Sequence, residues 1–508
     1  MGTHKQNHLS TDVLHGKRIL IVGVIDKRKD PALDVIQRLG MEMFAVGSRP
    51  KDQMEGKVKK YILYDSEDHS KDYDHCNEIV EQVLSEIGQV DGCVCFWDTE
   101  IPLAALVTAR LGKPGIPYLG ASAAMSKFLT LHTLASLDGI NGERTGTNAM
   151  ASARYSSRCI CVEGLSDIAK YAEESGFPAV LKTEFGTGSC GTKVVHSAEE
   201  AAEQFLYVQE LYEEHKDRAY LLGASFNRNC VLMELLKGSE HCVDLAIFHG
   251  ELVCAFVCDK GPHIPPDVFK TVITMPSLLP EDKLESVITA AFECCKALGL
   301  DHGVFDVDIM LTKSGPKLIE INPRVGGYWT REFILQCYNV DLVPLACLIA
   351  CDIKPEFVSE VTNDTAPEDV PSSPSGQSGS LTKEGRPNRV QENGFMKSET
   401  KHAALSHACH MVGIHVHPQR HGKVLRSTAA PEVLQDLHEK HELIFIRHEL
   451  QLREFAHELL FCTVATKAES FGKARDKMID ICQRIGLEAD DVSMEELLDY
   501  FTQHQSAS

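Results

Sequence analysis

The sequence predicts a multidomain chain of α/β and α+β units: an N-terminal α/β domain, a central region of helices and hairpins, and a C-terminal α+β unit. Three observations carry this. Short β-branched runs alternate with helical patterns up to about residue 110, as in a parallel sheet. From about residue 126 the pattern turns to glycine-tipped and acidic hairpins interleaved with helices. A stretch rich in Ser, Pro, Gly and charge, residues 361–402, then sets off a last group of strands and helices. At 508 residues the chain has room for roughly three or four domains with sizeable cores.

Residues 1–14 read as a flexible lead. The run "KRILIVGV" (17–24) ends its strand at Gly23 and is followed by the helical "DPALDVIQRLG". Strands "MEMFAVG" and "VDGCVCFW" and the helix "TEIPLAALVTARLG" complete a domain over 15–125. In such units ligands gather at the carboxyl ends of strands. Trp97, Asp98 and Glu100 therefore lie either beside a pocket or at an ordinary polar strand end.

The second domain is expected over 126–360, with a smaller part at about 155–230 and a larger one at about 231–360. Segments 179–184 and 192–196 are short strands around a glycine loop. Ser197 opens a helix with Glu200 in capping-box register. Strands "CVLMELL", "CVDLAIFHG" and "ELVCAFVC" follow, then the helix "PEDKLESVITAAFECCKALGL". "GVFDVDIMLT" and "PKLIEINP", joined by "KSG", read as a hairpin. Residues 361–402 lack the apolar content to order themselves and read as a disordered linker. In the unit 403–508, "MVGIHVHPQ", "LIFIRHEL" and "LLFCTVATKA" are expected strands, and 430–441 and 469–485 helices. There is no internal repeat.

Composition is that of a globular protein, 43% hydrophobic and 24% charged. A net charge of −22 with no basic block argues against nucleic acid or an anionic membrane as the main partner. Eighteen cysteines are scattered through apolar segments without a CxxC pair, which suits reduced, buried thiols. The longest apolar run, "LVPLACLIAC", is too short to span a bilayer. With no secretory leader pattern, the expected location is cytoplasmic.

"LKTEFGTGSCGTKVV" (181–195) places Gly186, Gly188 and Gly191 in GxGxxG spacing. A dinucleotide fold needs a helix directly after the glycines. Here the β-branched "TKVV" follows, so Gly186, Thr187, Gly188 and Ser189 sit at a hairpin tip. Such a tip either closes its backbone N–H groups over phosphates or is simply mobile. Lys182, just before it, is a compact positive charge suited to phosphate oxygens. Further on, the backbone of Met233, Glu234, Leu235 and Leu236 could dock a planar base, with Glu240 placed to accept ribose hydroxyls. The strongest feature is the pair "FDVDIM" and "IEINPR". Alternation puts Asp306 and Asp308 on one strand face, and Glu320 and Asn322 on one face of the partner. Carboxylates and an amide on adjacent strands make a hard-cation site suited to Mg2+.

A lysine, a glycine flap, a strand hinge ending in Glu240 and an acidic hairpin ending "EINPR" occur in order. In this the chain resembles the ATP-grasp superfamily over about residues 15–355. The resemblance implies a three-part core that grips ATP between two sheets. It implies that Lys127 and Lys182 contact the phosphates beneath the 186–191 loop, that Met233 to Leu236 hold adenine and that Glu240 holds ribose. It further implies that Asp308, Glu320 and Asn322 ligate Mg2+, or Mn2+ in its place, and that Arg324 faces the reacting carboxyl group. Within the superfamily the chain resembles the carnosine synthases, through "DGCVCFWDTEIPLAAL", "INPRVGGYWTREFILQCYNVDL" and "VLRSTAAPEVLQDLHEKHEL". That likeness implies a ligase joining β-alanine or γ-aminobutyrate to L-histidine through an acyl phosphate, releasing ADP and phosphate. It leaves other amino acid pairs and a homo-oligomer open.

Two departures stand out. Vertebrate carnosine synthases are longer at the N-terminus, so the chain corresponds mainly to their catalytic half. Asp306 stands where many relatives carry His, Asn or Arg, so it either joins the metal cluster or holds Arg324. The Pro-rich "CDKGPHIPPDVFKTV" (258–272) is a substrate gate or a surface loop. In "HACHMVGIHVHPQRH", His415 and His417 share a strand face, but no Cys or carboxylate completes a zinc site, which favours a structural role. Two rival functions remain: a nicotinamide oxidoreductase, requiring a helix after Gly191, and a non-catalytic nucleotide-binding protein.

Overall fold

The computed structural model describes residues 4–23, 30–48, 56–139, 153–214, 223, 225–262, 272–362, 405–416, 426–427, 436–437, 445–448, 462–484, 487–488 and 494–504. The chain opens with a strand where a flexible lead was expected. β1 (His4–Leu9) pairs antiparallel with residues Phe357–Thr362. Its anchor is Asn7, which is 1% exposed and donates to the carbonyls of Tyr338 at 2.9 Å and Ser406 at 2.7 Å. The Asn339 amide donates back to the Asn7 carbonyl at 2.8 Å.

The N-terminal sheet runs β4–β3–β2–β5, all parallel, from β2 (Arg18–Val22), β3 (Glu42–Gly47), β4 (Lys60–Leu63) and β5 (Gly92–Val94). Ile19 to Val22 are all buried, as a parallel strand covered on both faces requires. Helix α1 (Asp30–Arg38) buries Leu33 and Ile36 on one side. On the other, α2 (Asp72–Glu86) and α3 (Ile101–Arg110) bury Ile79, Val83, Leu103 and Val107. Helices α4 (Tyr118–Met125) and α5 (Lys127–Gly139) lead into the next unit.

A small sheet follows, ordered β6–β9–β7–β8: β6 (Cys159–Val162), β7 (Ala179–Thr183), β8 (Lys193–Val195) and β9 (Cys230–Glu234). Helices α6 (Leu165–Glu174) and α7 (Ala198–Glu214) close one face around Tyr171, Leu181 and Tyr212. The start of α7 shows the expected cap. Ser197 Oγ accepts from the Glu200 N–H, and Glu200 accepts from the His196 N–H.

The large sheet is built on β10 (Gly238–Phe248), β11 (Glu251–Lys260), β12 (Val272–Met275), β13 (Gly303–Thr312) and β14 (Gly315–Asn322). Val243, Leu245, Phe305 and Val307 pack on α8 (Glu281–Ala297). On the opposite face Cys242, Ala246 and Phe256 pack with α9 (Tyr328–Tyr338) and α10 (Leu342–Ala350). Residues Phe357–Thr362 form β15, the partner of β1.

The longer C-terminal strands join the large sheet, while a two-residue pair, Arg426–Ser427 with Leu487–Glu488, stands apart. β16 (His410–Val416) pairs with β12, and β17 (Phe445–His448) and β18 (Cys462–Ala468) continue outward. One eight-stranded sheet results, ordered β14–β13–β10–β11–β12–β16–β18–β17. Alternation identifies a strand but not the edge it completes, and the unpaired edge of β12 is what β16 satisfies. Helices α11 (Phe471–Arg484) and α12 (Met494–His504) pack on this extension, burying Met478, Ile481, Leu498 and Phe501 with Val272 and Val412. The linker expected at 361–402 lies outside the described residues, apart from the end of β15, and so does most of the 258–272 loop. No disulfide joins the described cysteines, and no single described helix is long and apolar enough to cross a membrane.

Asn7→Ala removes both side-chain hydrogen bonds, to the carbonyls of Tyr338 and Ser406. It should destabilise the protein by about 1–3 kcal/mol, read as a lower urea midpoint at unchanged slope. A wild-type midpoint would show that β1 is not anchored as described.

Candidate active site

The acidic hairpin assembles as its alternation requires. Asp308 lies directly opposite Glu320, and Asp306 opposite Asn322. Opposed residues in an antiparallel pair share a face. On the other side of β13, Asp308 faces Cys242 and Asp306 faces Asp244 of β10. Glu240 is opposite Lys260 of β11. Lys260, which the sequence reading missed, reaches across β10 to Asp308, with Nζ 2.7 and 2.6 Å from its two oxygens, and lies 3.3 Å from Glu240. Lysine at a strand end is ordinarily solvated, and only the strand register reveals this one as buried.

Glu240, Asp308 and Glu320 face a cleft of about 1080 Å³ between the small and large sheets. Lys127, Lys182, Gly186, Gly188, Ser189, Met233, Glu234, Leu235, Leu236, Glu240, Asp308 and Glu320 all line it. Thr187, Asn322 and Arg324 do not, although Thr187 belongs to the same loop. No helix follows Gly191: β8 does, so the oxidoreductase reading loses its structural requirement. The loop is shaped by left-handed residues at Gly188, Ser189 and Gly191, with φ of 61°, 58° and 71°. Lys127 Nζ donates to the Gly186 carbonyl at 2.6 Å and lies 3.7 Å from Glu320. Buried Glu184, also unforeseen, accepts from Ser126 and from the Asn227 amide. Tyr500 of α12 reaches the cleft wall, so the C-terminal extension contributes to the site.

Arg324 lies beyond the end of β14, beside a smaller cavity of about 100 Å³ between the N-terminal and large sheets. Its Nε donates to Asp98 at 2.6 Å, and Nη1 donates to Asp306 at 2.9 Å and to the Val325 carbonyl at 3.2 Å. Asp306 therefore holds Arg324. Asp98, at the carboxyl end of β5, holds it from the N-terminal domain. Glu100 packs instead beside Gly23, where any Cβ would come within 2.6 Å of its side chain, and accepts from Ser66.

The electrostatics follow from burial. Burial opposes the charge on Arg324, but Asp98 and Asp306 hold the guanidinium firmly protonated. Burial pushes Lys182 down to about 8, against the pull of Glu320, and Lys127 adds to the lowering. Burial pushes Asp308 up to about 7, with Asp306, Glu240 and Glu320 adding to it and Lys260 opposing. Lys260 stays charged because Asp308 and Glu240 outweigh its desolvation. A carboxylate disfavoured by burial and like charge is one that a divalent cation would relieve. Asp308 and Glu320 offer hard oxygen donors on one face, with Asn322 at the hairpin end. The set fits Mg2+ or Mn2+, with Lys260 as the standing positive charge.

Residues 175–332 match the ATP-grasp domain family, and the chain has the ATP-grasp fold. Over 490 residues it is 29% identical to carnosine synthase 1 of Homo sapiens, covering 96% of this chain and 53% of that protein. The Gallus gallus carnosine synthase 1 is 32% identical over 349 residues, 68% of this chain and 36% of that one. The chain thus spans about half the length of the human relative, or less of the chicken one. Its fold matches the crystal structure of L-amino acid ligase from Bacillus licheniformis with a TM-score of 0.65, at 15% identity, covering 94% of this chain and 98% of that one.

With Lys182 lowered to about 8 in the nucleotide-free protein, anionic phosphates should return its proton. ATP binding at pH 8.5 should therefore take up protons, seen by calorimetry in buffers of different ionisation heat. Lys182→Arg, always charged, should bind ATP without that uptake. Equal uptake by both proteins would place the proton elsewhere.

Proposed function

We propose that the chain is an ATP-dependent carboxylate–amine ligase that forms a dipeptide of the carnosine type, from β-alanine or γ-aminobutyrate and L-histidine. The observation that carries the ligase reading is Arg324. Asp98 and Asp306 clamp it through Nε and Nη1 at the end of the acidic hairpin, so its planar fork is held in one orientation. The similarity to carnosine synthase 1, over 96% of this chain in the human case, supports the choice of substrates.

In this reading ATP lies in the large cleft, with adenine against Met233 to Leu236, ribose at Glu240, and phosphates between Lys127, Lys182 and the 186–191 loop. Asp308, Glu320 and Asn322 hold Mg2+, which when bound neutralises phosphate charge in the transfer step. The donor carboxylate is seated on Arg324. One of its oxygens attacks the γ-phosphorus, the bond to the β-phosphate oxygen breaks, and ADP leaves. The amine nitrogen of the acceptor then attacks the acyl carbon, a C–N bond forms, phosphate departs and the amine loses a proton. Arg324 stabilises the carboxylate and then the tetrahedral oxyanion. The glycine loop over the phosphates excludes water, which would otherwise hydrolyse the acyl phosphate.

The test is ADP release over pairs of amino acids, with Glu320→Ala as the blank. β-Alanine or γ-aminobutyrate with histidine should give the highest turnover. Activity confined to unrelated pairs would reject the carnosine-type assignment, and no release with any pair would reject the ligase. Arg324→Lys keeps the charge but loses the fork. It should lower kcat/KM for amide formation by about 10²-fold, with ATP affinity within about threefold of wild type. Unchanged amide output would remove Arg324 from the reaction.

A further inference from the structure

We propose that Asp244 is a specificity-determining residue that binds the ammonium group of the carboxylate donor; this rests on the ligase reading above. Asp244 is fully buried, at 0% exposure, and its Oδ1 has no hydrogen-bond partner among the described residues. A buried carboxylate oxygen without a donor is disfavoured strongly enough to call for an explanation.

Its surroundings supply carboxylates rather than donors. Asp306 lies directly opposite on β13, and on β10 the Cys242 thiol donates only to Oδ2, at 3.8 Å, leaving Oδ1 without a donor. Arg324 gives its Nε and Nη1 hydrogen bonds to Asp98, Asp306 and Val325, not to Asp244. Thr330, close by, directs its hydroxyl to the Gly327 carbonyl at 2.7 Å. One guanidinium thus serves a group of three carboxylates.

The unpartnered oxygen points at the turn that follows Arg324. A Cβ at Gly326 would come within 2.2 Å of Asp244 Oδ1 and 2.7 Å of Thr330 Oγ1, so only glycine leaves room for that oxygen. A donor whose carboxylate rests on Arg324 has its remaining atoms beside this turn. An ammonium group brings the positive charge and the N–H donor that Asp244 Oδ1 lacks. Such a site would reject a carboxylic acid without an amino group, because binding it would leave the buried carboxylate unpaired.

The experiment loads the full chain with Mg2+ and a non-hydrolysable ATP analogue and titrates it by calorimetry. β-Alanine is compared with propionate, and γ-aminobutyrate with butyrate. The wild type should bind at least one amino acid about 10-fold or more tightly than its deaminated counterpart, and Asp244→Asn should bring that ratio to within about threefold of one while nucleotide affinity holds. Gly326→Ala, which presses on the same oxygen, should lower the ratio too and covers the case in which the Asn variant fails to fold. Equal loss for both members of a pair, an unchanged ratio in both variants, or no preference for an amino acid in the wild type would overturn the proposal. ADP release is scored separately. Amino acids that bind through Asp244 yet release no ADP with any amine would sink the ligase reading alone. Turnover with an unchanged ratio would sink the role of Asp244 alone.

Discussion

The ion cluster Asp98–Arg324–Asp306 is the contact on which the rest of the site depends. Asp98 follows the last strand of the N-terminal sheet, Asp306 lies on the large sheet, and Arg324 bridges them at 2.6 and 2.9 Å. All three side chains are only 12–14% exposed. A buried ion cluster of this kind adds little net stability, because desolvation consumes most of the attraction, but losing one member strands the others. Its effect is positional. It fixes the guanidinium against both domains, so that group cannot drift relative to the acidic hairpin.

The same reasoning applies to the cleft. Across the cleft and the adjoining Arg324 cluster, six acidic side chains (Asp98, Glu240, Asp244, Asp306, Asp308 and Glu320) neighbour four basic ones, Lys127, Lys182, Lys260 and Arg324. A nucleotide triphosphate adds negative charge to a site already short of positive charge. A cation at the acidic end would offset that excess, because Asp308 there is already pushed toward protonation by burial and its neighbours. Lys127 joins the glycine loop to the acidic hairpin, donating to the Gly186 carbonyl and lying 3.7 Å from Glu320.

Much of this was legible in the sequence, because period-two alternation specifies faces without specifying partners. The acidic faces of β13 and β14, the glycine hairpin and the absence of a helix after Gly191 follow from local pattern. What local pattern lacks is register between distant strands. Lys260 closes "ELVCAFVCDK" and reads as a solvated strand end, until pairing with Glu240 places it beside Asp308. Asp98 was as plausible a surface residue as a site residue, until Arg324 reached it across the domain boundary. β1, "HKQNHL", is too polar to read as a strand, because backbone pairing and one buried asparagine, rather than an apolar face, hold it. The C-terminal strands were visible, but their attachment to β12 was not. The proposed gate at 258–272 and His417 lie mostly or wholly outside the described residues.

The metal face also rests on a single extra residue. Near the turn of the acidic hairpin, Thr312 pairs with Gly315 and Met310 with Lys317, but beyond Ile309 the register shifts by one, so that Asp308 meets Glu320. Continued without that shift, the turn's register would set Ile319 opposite Asp308 and Ile321 opposite Asp306. Glu320 and Asn322 would then point at the apolar face beneath α8, because a one-residue slip exchanges the two faces of a strand. The bulge prevents this. It lets Leu318 and Ile321, three apart, both bury in the α8 core, and it turns Glu320 and Asn322 toward the carboxylates of β13. The spacing of those two apolar residues is the trace of the bulge in the sequence. Bringing Glu320 and Asn322 onto the face of Asp306 and Asp308 thus requires an irregular strand, and the apolar core enforces the irregularity.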